Sequence, residues 1–367
     1  MGGSHPFEKG VIANRATYIR ETHMGEKQAR WGLLSTARIN ERLIPCIRNS
    51  QRSELLAVAS RSERKVKRYA AEWGIPRAYG SYEQLIEDPD VDVIYNSLPN
   101  SMHAEWSIRC ADTGKHVFCE KPLAISPDEV DSMSDAANRN GVLIQEAAMM
   151  RFHQQTFDVK RLLAEGTIGD VRLLRSVFSF YLTKDQDIRL DPDVGGGALW
   201  DLGSYQVSLS RTLFQAEPVE VSGWQKVNDK GVDRTFAGQM RFESGAISQF
   251  YCSNESAPAW DAELIGSTGL MHLDLPYQNH PELDAHVRIH RGSVADDTAT
   301  FGDSLEQMEE ETLTFRNNNA YQDEVDAMVA SVLDGLKPVL SLEDSRANIV
   351  TILALLKSAR ERHPIRI

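Results

Sequence analysis

The chain has 367 residues, of which 41% are hydrophobic and 25% charged, so it is long enough for two ordinary globular domains with separate cores. The net charge of −13 argues against nucleic acid or an anionic membrane as a partner, because both attract basic surfaces. No apolar run approaches the roughly 20 residues of a membrane-spanning helix.

Neither the N-terminus nor the cysteines indicate export. Residues 1–29 are polar and lack the hydrophobic centre of a signal peptide. We interpret them as a tail or as an arm onto a neighbouring subunit, with Met24 as an alternative natural start. The four cysteines have no paired or metal-like spacing, which predicts reduced thiols in a cytoplasmic protein: Cys46, Cys110, Cys119 and Cys252.

From residue 30 the chain alternates short apolar strands with helices. This rhythm predicts a doubly wound parallel sheet of six strands. We therefore expect a dinucleotide-binding Rossmann domain over residues 30–152. The clearest strands are predicted at 30–34, 55–59, 91–96, 116–119 and 142–145, and the clearest helices at 38–49, 63–73, 102–113 and 126–140.

The first strand-to-helix turn stands where a dinucleotide-binding fold carries G-x-G-x-x-G. Ser35, Ala37 and Asn40 occupy the three glycine places. Each is small or tolerant of turns, so the backbone can still approach a pyrophosphate at the helix N-terminus. An ordinary strand–turn–helix is the alternative interpretation of this turn. The cofactor contacts predicted here are Ser35, Thr36, Ala37, Arg38 and Ile39.

The second strand ends in Ser60-Arg61-Ser62, where an acidic residue would bind a ribose 2′-hydroxyl and repel a 2′-phosphate. Arginine instead grips phosphate oxygens with two hydrogen bonds. If the fold is right, Ser60 and Arg61 predict NADP, with NAD less favoured. A helix N-cap followed by a solvated arginine is the alternative.

Glu120, Lys121 and Pro122 follow the strand His116–Cys119. Parallel strands bind ligands at their carboxyl ends, so this strand places a carboxylate and an amine at the ligand-binding edge. The proline keeps Lys121 out of helical geometry and is compatible with a cis peptide bond. An ordinary turn with a surface ion pair is the competing interpretation.

The segment from Gly195 to Tyr205 begins with three glycines, which favour a tight turn before a helix. In that helix Asp201 and Tyr205 stand four residues apart, on one face. A phenol can exchange a proton with an alkoxide, and a nearby lysine would lower its pKa. A core helix whose tyrosine simply packs is the alternative.

After Gly169 the pattern becomes rich in strands that alternate apolar and polar residues. Residues 153–367 are predicted to form an α/β substrate-binding and oligomerisation domain with a large, mostly antiparallel open sheet. Trp224, Phe250 and Tyr251 cannot all point into one core, which favours a homo-oligomer, a dimer or tetramer, through this sheet. Strands are predicted at 171–182, 219–227, 234–242, 246–252, 262–265, 271–273 and 286–290, and helices at 321–336 and 342–362, the last packing back toward the first domain.

Together these motifs resemble the glucose–fructose oxidoreductase and inositol dehydrogenase family from Arg30 to the C-terminus. The specific marks are Gly114-Lys115-His116-Val117 leading into Glu120-Lys121-Pro122, and the segment from Gly195 to Tyr205. The family usually has histidine at the position of Tyr205. Tyrosine there is similar to the branch with NADP-dependent xylose dehydrogenase and dihydrodiol dehydrogenase.

The resemblance implies roles for individual residues. Lys121 would orient and polarise the reacting hydroxyl, Tyr205 would be the general acid/base, and Asp201 would bind substrate or tune the pair. Arg151, His153, Arg189 and Asp191 would be candidates for sugar contacts. Beyond the first turn, the residues implied to line the cofactor are Ser60, Arg61, Asn96, Leu98, Pro99, Asn100, His103, Glu120 and Lys121.

We therefore expect an NADP-dependent oxidoreductase that transfers hydride to or from a CH–OH group of a sugar or sugar-like polyol, an aldose at its anomeric carbon above all. This chemistry requires no metal. Three alternatives remain open: a ketoreductase or 3-dehydrogenase acting on a glycoside or nucleotide sugar, a shuttle of hydride between two sugars with bound NADP, and a non-catalytic cofactor-sensing regulator. An intact Lys121 and Tyr205 weigh against the regulator.

Overall fold

Two β-sheets organise the molecule, a parallel one of six strands and a mixed one of nine. The structure, a computed structural model, describes residues 27–184, 186–277, 283–292, 309–316 and 319–367. Residues 1–29 were predicted to be a tail or an arm, and residues 1–26 of that segment lie outside the described residues.

The first sheet has the strand order β3-β2-β1-β4-β5-β6, and all its pairs are parallel. This order confirms the predicted doubly wound fold, and its reversal point between β1 and β4 is where such folds bind ligands. The strands are β1 Ala29–Leu33, β2 Ser53–Ala59, β3 Arg77–Tyr79, β4 Val93–Asn96, β5 His116–Glu120 and β6 Ile144–Ala147, and the helices between them are α1 Asn40–Asn49, α2 Glu63–Trp73, α3 Tyr82–Ile86, α4 His103–Asp112 and α5 Pro127–Asn140.

Local sequence explains where these helices begin and end. Helix α5 starts with a capping box, in which Ser126 accepts from the Glu129 amide while the Glu129 side chain accepts from the Ser126 amide. It ends at Gly141, whose φ of +64° suits glycine. Helix α1 begins two residues later than predicted, because the Asn40 and Glu41 amides bond to carbonyls three residues earlier, in a tighter turn that side-chain hydrogen bonds of Ser35 and Asn40 also hold.

The second sheet has the order β14-β13-β12-β11-β7-β10-β9-β8-β15. Among its described strands only β7 and β10 pair in parallel, so the prediction of a mostly antiparallel sheet is confirmed. The strands are β7 Val171–Tyr181, β8 Pro218–Val227, β9 Asp233–Phe242, β10 Ile247–Ser253, β11 Glu255–Gly266, β12 Gly269–Asp274, β13 Ala285–Arg291, β14 Glu309–Phe315 and β15 Ile365–Arg366.

Three features of this half were not predicted. Strand β11 begins at Glu255, well before the predicted residues 262–265. Its N-terminal part was not predicted because it contains Pro258 and two alanines and lacks an apolar alternation. Strand β14 is charged and exposed, so it carries no hydrophobic pattern. The structure also contains α6 Gln154–Ala164 and α7 Ser204–Phe214, of which only the second was expected.

The last two helices connect the halves of the chain. Helix α8, Ala320–Asp334, packs against α1, and Arg52 binds Asp334 at 2.7 Å. Helix α9, Leu342–Glu361, packs against α5 and β6, and Arg346 binds Asp131 at 2.7 Å. No helix among the described residues is both long enough and apolar enough to span a bilayer.

Candidate active site

A turn at the carboxyl end of β5 presents Lys121 toward the second sheet. The Lys121–Pro122 peptide bond is cis. Glu120, just before it, accepts a hydrogen bond from the hydroxyl of Tyr95, and burial raises the pKa of the Glu120 carboxyl. Two neighbouring strands thus fix the base of the turn, and the lysine side chain extends from it.

The glycine turn before α7 brings a second group of side chains to Lys121. A Cβ at Gly196 would lie 2.6 Å from the Asp191 carbonyl oxygen, so the backbone passes too closely for any side chain. Asp233 then accepts a hydrogen bond from the Leu199 amide at 2.7 Å. The following turn, Leu199–Gly203, is π-helical, so the regular α-helix expected through Asp201 is wrong, and π-helical turns are frequent at functional sites.

Asp201 holds two cations at this turn. Its Oδ1 lies 3.0 Å from Lys121 Nζ, and its Oδ2 lies 2.6 Å from Arg189 Nε. Lys121 Nζ also donates to the Asp201 carbonyl oxygen at 2.6 Å. Burial alone would raise the pKa of the carboxyl, but the two cations outweigh it and lower that pKa to about 2. Asp201 therefore stays ionised and fixes the lysine.

Tyr205 lies beside this ion pair, with Lys121 Nζ 4.6 Å from the centre of its ring. Its ring also meets Phe178 edge-on at 5.6 Å, and only 8% of the residue is exposed. The expectation that the lysine lowers the phenol pKa is wrong: burial first, then nearby Tyr321 and Glu120, raise it well above its usual range. The phenol therefore holds its proton at neutral pH.

Helix α9 supports both the lysine and the tyrosine. Glu146, at the end of β6, accepts from the Leu123 amide at 3.0 Å and from the Ser345 hydroxyl at 2.6 Å. Three residues further along α9, Asn348 donates to the Ser204 carbonyl at 3.3 Å, immediately before Tyr205.

A cavity of about 10 Å³, room for about one water molecule, lies among Lys121, Glu146, Ser204, Tyr205, Ser208 and Asn348. Sequence reasoning did not propose Glu146, Ser345 or Asn348 as site residues. A signal for Glu146 was available, because it ends a strand adjacent to the one that carries Glu120.

The cofactor residues predicted in the first turn lie at the edge of the parallel sheet. Ser35 accepts from the Ala37 amide at 3.0 Å and contacts the Ser97 hydroxyl at 2.7 Å, and Ser97 donates to Asn40 at 2.8 Å. This network replaces the glycines in shaping the turn. No side chain caps the N-terminus of α1, and the amides of Asn40, Glu41 and Arg42 donate to carbonyls of the turn, so what this end offers a pyrophosphate is the positive end of the helix dipole. Thr36, Ala37 and Ile39 are half-buried and Arg38 is exposed.

The next predicted group runs from the end of β4 to the start of α4. Asn96 is fully buried and donates to the His103 carbonyl and the Ser107 hydroxyl, both at 3.1 Å. The His103 ring lies 2.7 Å from the Leu98 carbonyl and 2.8 Å from the Pro122 carbonyl. Asn96 and His103 therefore shape the loop and connect it to the lysine turn, whereas Pro99 and Asn100 are half-buried at the sheet edge.

The two residues predicted to recognise a 2′-phosphate lie just beyond β2. Ser60 is 8% exposed, and its hydroxyl accepts from the Ser62 amide at 3.3 Å. Arg61 is exposed at the start of α2. An exposed guanidinium beside a hydroxyl, at a place with no carboxylate, fits a phosphate group.

The four predicted sugar contacts separate in the structure. Arg189 belongs to the site because it binds Asp201. Asp191 caps the glycine turn by accepting from the Asp193 amide at 3.1 Å. Arg151 binds Asp344 at 2.8 Å and Ser208 at 3.2 Å. His153 is 1% exposed, and its side chain caps α6 by accepting from the Gln155 amide.

A Rossmann sheet whose lysine turn meets an aspartate and a tyrosine of a helical segment, Asp201 and Tyr205, is the arrangement expected of a two-domain oxidoreductase that uses a nicotinamide nucleotide. Two family models match the chain: the oxidoreductase family with an NAD-binding Rossmann fold over residues 29–148, and the GFO/IDH/MocA C-terminal domain over residues 157–272. The chain belongs to this family, as its motifs indicated.

Named relatives and solved structures agree with this assignment. The chain is 35% identical to D-xylose 1-dehydrogenase (NADP(+)) 2 of Haloferax volcanii over 90% of its length and 97% of the relative's. It is 33% identical to trans-1,2-dihydrobenzene-1,2-diol dehydrogenase of Mus musculus over 66% of its length and 74% of the relative's. The 3-ketoreductase KijD10 of Actinomadura kijaniata, solved with NADP and TDP-benzene, matches at a TM-score of 0.82 and 28% identity over 90% of this chain and 98% of that one.

Proposed function

We propose that this enzyme transfers hydride between NADP and a CH–OH group of a sugar or sugar-like polyol, with an aldose oxidised at its anomeric carbon as the leading reaction. The observation that carries the proposal is the contact of Lys121 with both Asp201 and the ring of Tyr205 at the ligand-binding edge of the Rossmann sheet. The likeness to a protein named D-xylose 1-dehydrogenase (NADP(+)) supports the substrate class.

The protein residues have two tasks in such a reaction. Bound nicotinamide supplies the hydride acceptor or donor. Lys121, held beside Asp201, orients and polarises the reacting hydroxyl, and Tyr205 exchanges the hydroxyl proton. A phenol with a raised pKa holds its proton at neutral pH, so it is ready to donate during reduction. Oxidation, which needs the phenolate, should accelerate as the pH rises.

NADP is proposed over NAD because of the residues after β2. Arg61 is exposed where NAD-specific folds carry an acid, and Ser60 adds a hydroxyl. Arg38 is exposed on the first turn and adds a second cation at the same edge. The uncapped N-terminus of α1 would bind the pyrophosphate. Glu120, Pro99 and Asn100 would border the nicotinamide end.

A ketoreductase or 3-dehydrogenase that acts on a glycoside or nucleotide sugar is the second candidate. The likeness to a 3-ketoreductase solved with NADP and a TDP compound favours it. A hydride shuttle with permanently bound NADP and a cofactor-sensing regulator are the remaining alternatives.

Mass and absorbance analysis of the purified protein, followed by NADP reduction with a panel of aldoses, separates these possibilities. Reduction of free NADP supports the dehydrogenase. Bound NADP without reduction of free NADP supports the shuttle. No turnover of any aldose, with turnover of a glycoside or nucleotide sugar, overturns the aldose assignment.

We also propose a cytoplasmic homo-oligomer, a dimer or tetramer. The location rests on four free buried thiols, which persist in reducing compartments. The oligomer is proposed from the outer face of the second sheet. A cavity of about 400 Å³ lies there beside Arg175, Tyr251 and Asp261. Sedimentation of the wild type and of Tyr251→Asp tests this interface: a monomeric wild type would contradict it.

A further inference from the structure

We propose that the substrate carries a second ring beside the one that is oxidised, and that Trp260 binds the flat apolar face of that second ring. This inference rests on the proposed sugar oxidoreductase function and names its substrate class more narrowly. Trp260 is 40% exposed.

Trp260 lies on the inner face of the second sheet. It pairs with Phe178 across β7 and β11, as Ala262 pairs with Ser176 and Leu264 with Leu174. Directly paired residues, and residues two apart on a strand, point to the same face. Ala262 and Leu264 are fully buried, so this is the covered face, yet Trp260 is 40% exposed.

The same face leads directly to Tyr205. The Phe178 ring meets the Tyr205 ring at 5.6 Å and stacks on the Tyr277 ring at 4.8 Å. A directly paired cross-strand residue places its Cβ roughly 5 Å away. Trp260 therefore lies one strand beyond the Phe178 ring that contacts Tyr205, so the indole faces the part of the substrate next to the reacting ring. The exposed indole is the far end of an aromatic row that starts at the proposed acid/base.

Next to Phe178 on this face, a charged side chain approaches the sheet. Phe180, two residues beyond Phe178 on β7, has the Arg189 guanidinium 5.9 Å from its ring centre. Arg189 is bound to Asp201, which holds Lys121. The reacting ring of the substrate would thus contact Lys121, Asp201 and Arg189. The ring next to it would contact the Trp260 indole.

The chemistry of the indole defines the class of ligand. Trp supplies a large flat apolar surface, and the C–H-rich face of a pyranose or an aryl ring is its complement. A reducing disaccharide remains an aldose, so it satisfies the proposed reaction and reaches Trp260. An aryl glycoside or nucleotide sugar offers the same ring face through a different substituent.

The test compares one-ring and two-ring substrates. We expect kcat/KM with NADP to be higher for cellobiose than for glucose, and for xylobiose than for xylose. Trp260→Ala should lower kcat/KM for the disaccharides by about tenfold and for the monosaccharides by less than about twofold. Trp260→Phe should restore part of the loss. Phenyl glucoside and a nucleotide sugar, assayed beside them, distinguish the source of the second ring.

Trp224→Ala is the matched control, because Trp224 is 61% exposed on β8 at the other end of the same sheet. It should leave the preference unchanged. Equal effects of Trp260→Ala on one-ring and two-ring substrates would overturn the inference. A change in the sedimentation of Trp260→Ala without a change in its substrate preference would also overturn the inference, since the indole would then contact a second copy of the chain.

Failure of the proposed function is separable from failure of this inference. If no sugar is turned over, the proposed function is wrong. Calorimetric titration of the protein with NADPH and each sugar then tests whether Trp260 binds a second ring. Binding of cellobiose or phenyl glucoside that is weakened about tenfold by Trp260→Ala supports the subsite. Absence of binding by every two-ring sugar overturns it.

Discussion

The Ser345 hydroxyl donates a 2.6 Å hydrogen bond to the Glu146 carboxylate, and through it helix α9 supports the turn that carries Lys121. The same helix reaches the residue before Tyr205 through Asn348. The relative position of the lysine and the phenol is therefore set by a helix from the opposite end of the chain.

Ser345→Ala should disturb this placement without touching the nucleotide. The buried Glu146 loses one of its two donors, so the lysine turn relaxes and kcat should fall about tenfold while the Kd for NADP changes less than twofold. The alkaline limb of the kcat–pH profile should also move, because the pKa of Tyr205 depends on its burial and on Glu120, which stands immediately before Lys121 in the same turn. Ser345→Thr should restore the profile.

Glu343→Ala, an exposed change in the same turn of α9, is the control. Loss of thermal stability with an unchanged pH profile in Ser345→Ala would mean that the hydrogen bond only stabilises the fold.

Arg61→Ala should weaken NADP binding by about 1–3 kcal/mol, the scale of a lost charged hydrogen bond. NAD binding should barely change, since NAD has no 2′-phosphate. Isothermal titration with both nucleotides measures the difference, and Arg68→Ala, an exposed arginine further along α2, controls for loss of a positive charge. Equal losses for NADP and NAD would refute the phosphate contact.

Lys121→Ala should lower kcat by about 100-fold or more while the Kd for NADP stays within severalfold, because the ammonium acts on the reacting hydroxyl. Asp201 keeps its bond to Arg189 in this variant, so the glycine turn should persist. Lys357→Ala, on the exposed face of α9, is the matched control in steady-state assays. Near-normal turnover by Lys121→Ala would exclude the assigned role.

Asp201→Asn should destabilise the protein in a pH-dependent way. The folded carboxyl has a pKa of about 2, below its ordinary value of 3.8, so ionised Asp201 stabilises the fold above about pH 4, and this contribution is lost as the pH falls toward 2. The deficit of the variant in free energy of unfolding should be about 2 kcal/mol at neutral pH and should shrink below pH 4. Urea unfolding across that range measures it, and a constant deficit would contradict the ion pairs.

The fold was largely predictable because its signals are local. Helix α5 illustrates this: Ser126, Pro127 and Glu129 mark its start and Gly141 its end within one short segment. Strand β14 carries no such signal, since its charged residues acquire a partner only when β13 lies beside them.

The site was predictable only where it follows strand ends. Lys121 was found because it follows a buried strand, whereas Ser345 lies more than two hundred residues from Glu146, and no local pattern joins them. The phenol pKa was mispredicted for the same reason. The approach of Lys121 to Tyr205 can be inferred from motifs, but the burial that outweighs it depends on Phe178 and Tyr277, which come from other strands and loops.

Proton exchange at Tyr205 is tested most directly by single-turnover hydride transfer from the best sugar substrate to saturating NADP, in the wild type and in Tyr205→Phe. We expect the variant to bind NADP normally and to transfer hydride about 100-fold more slowly or worse, because only the proton-exchanging hydroxyl is missing. The wild-type rate should rise with pH, since the phenol pKa is raised. A Tyr205→Phe variant with a near-normal rate would exclude Tyr205 as the proton-exchanging group.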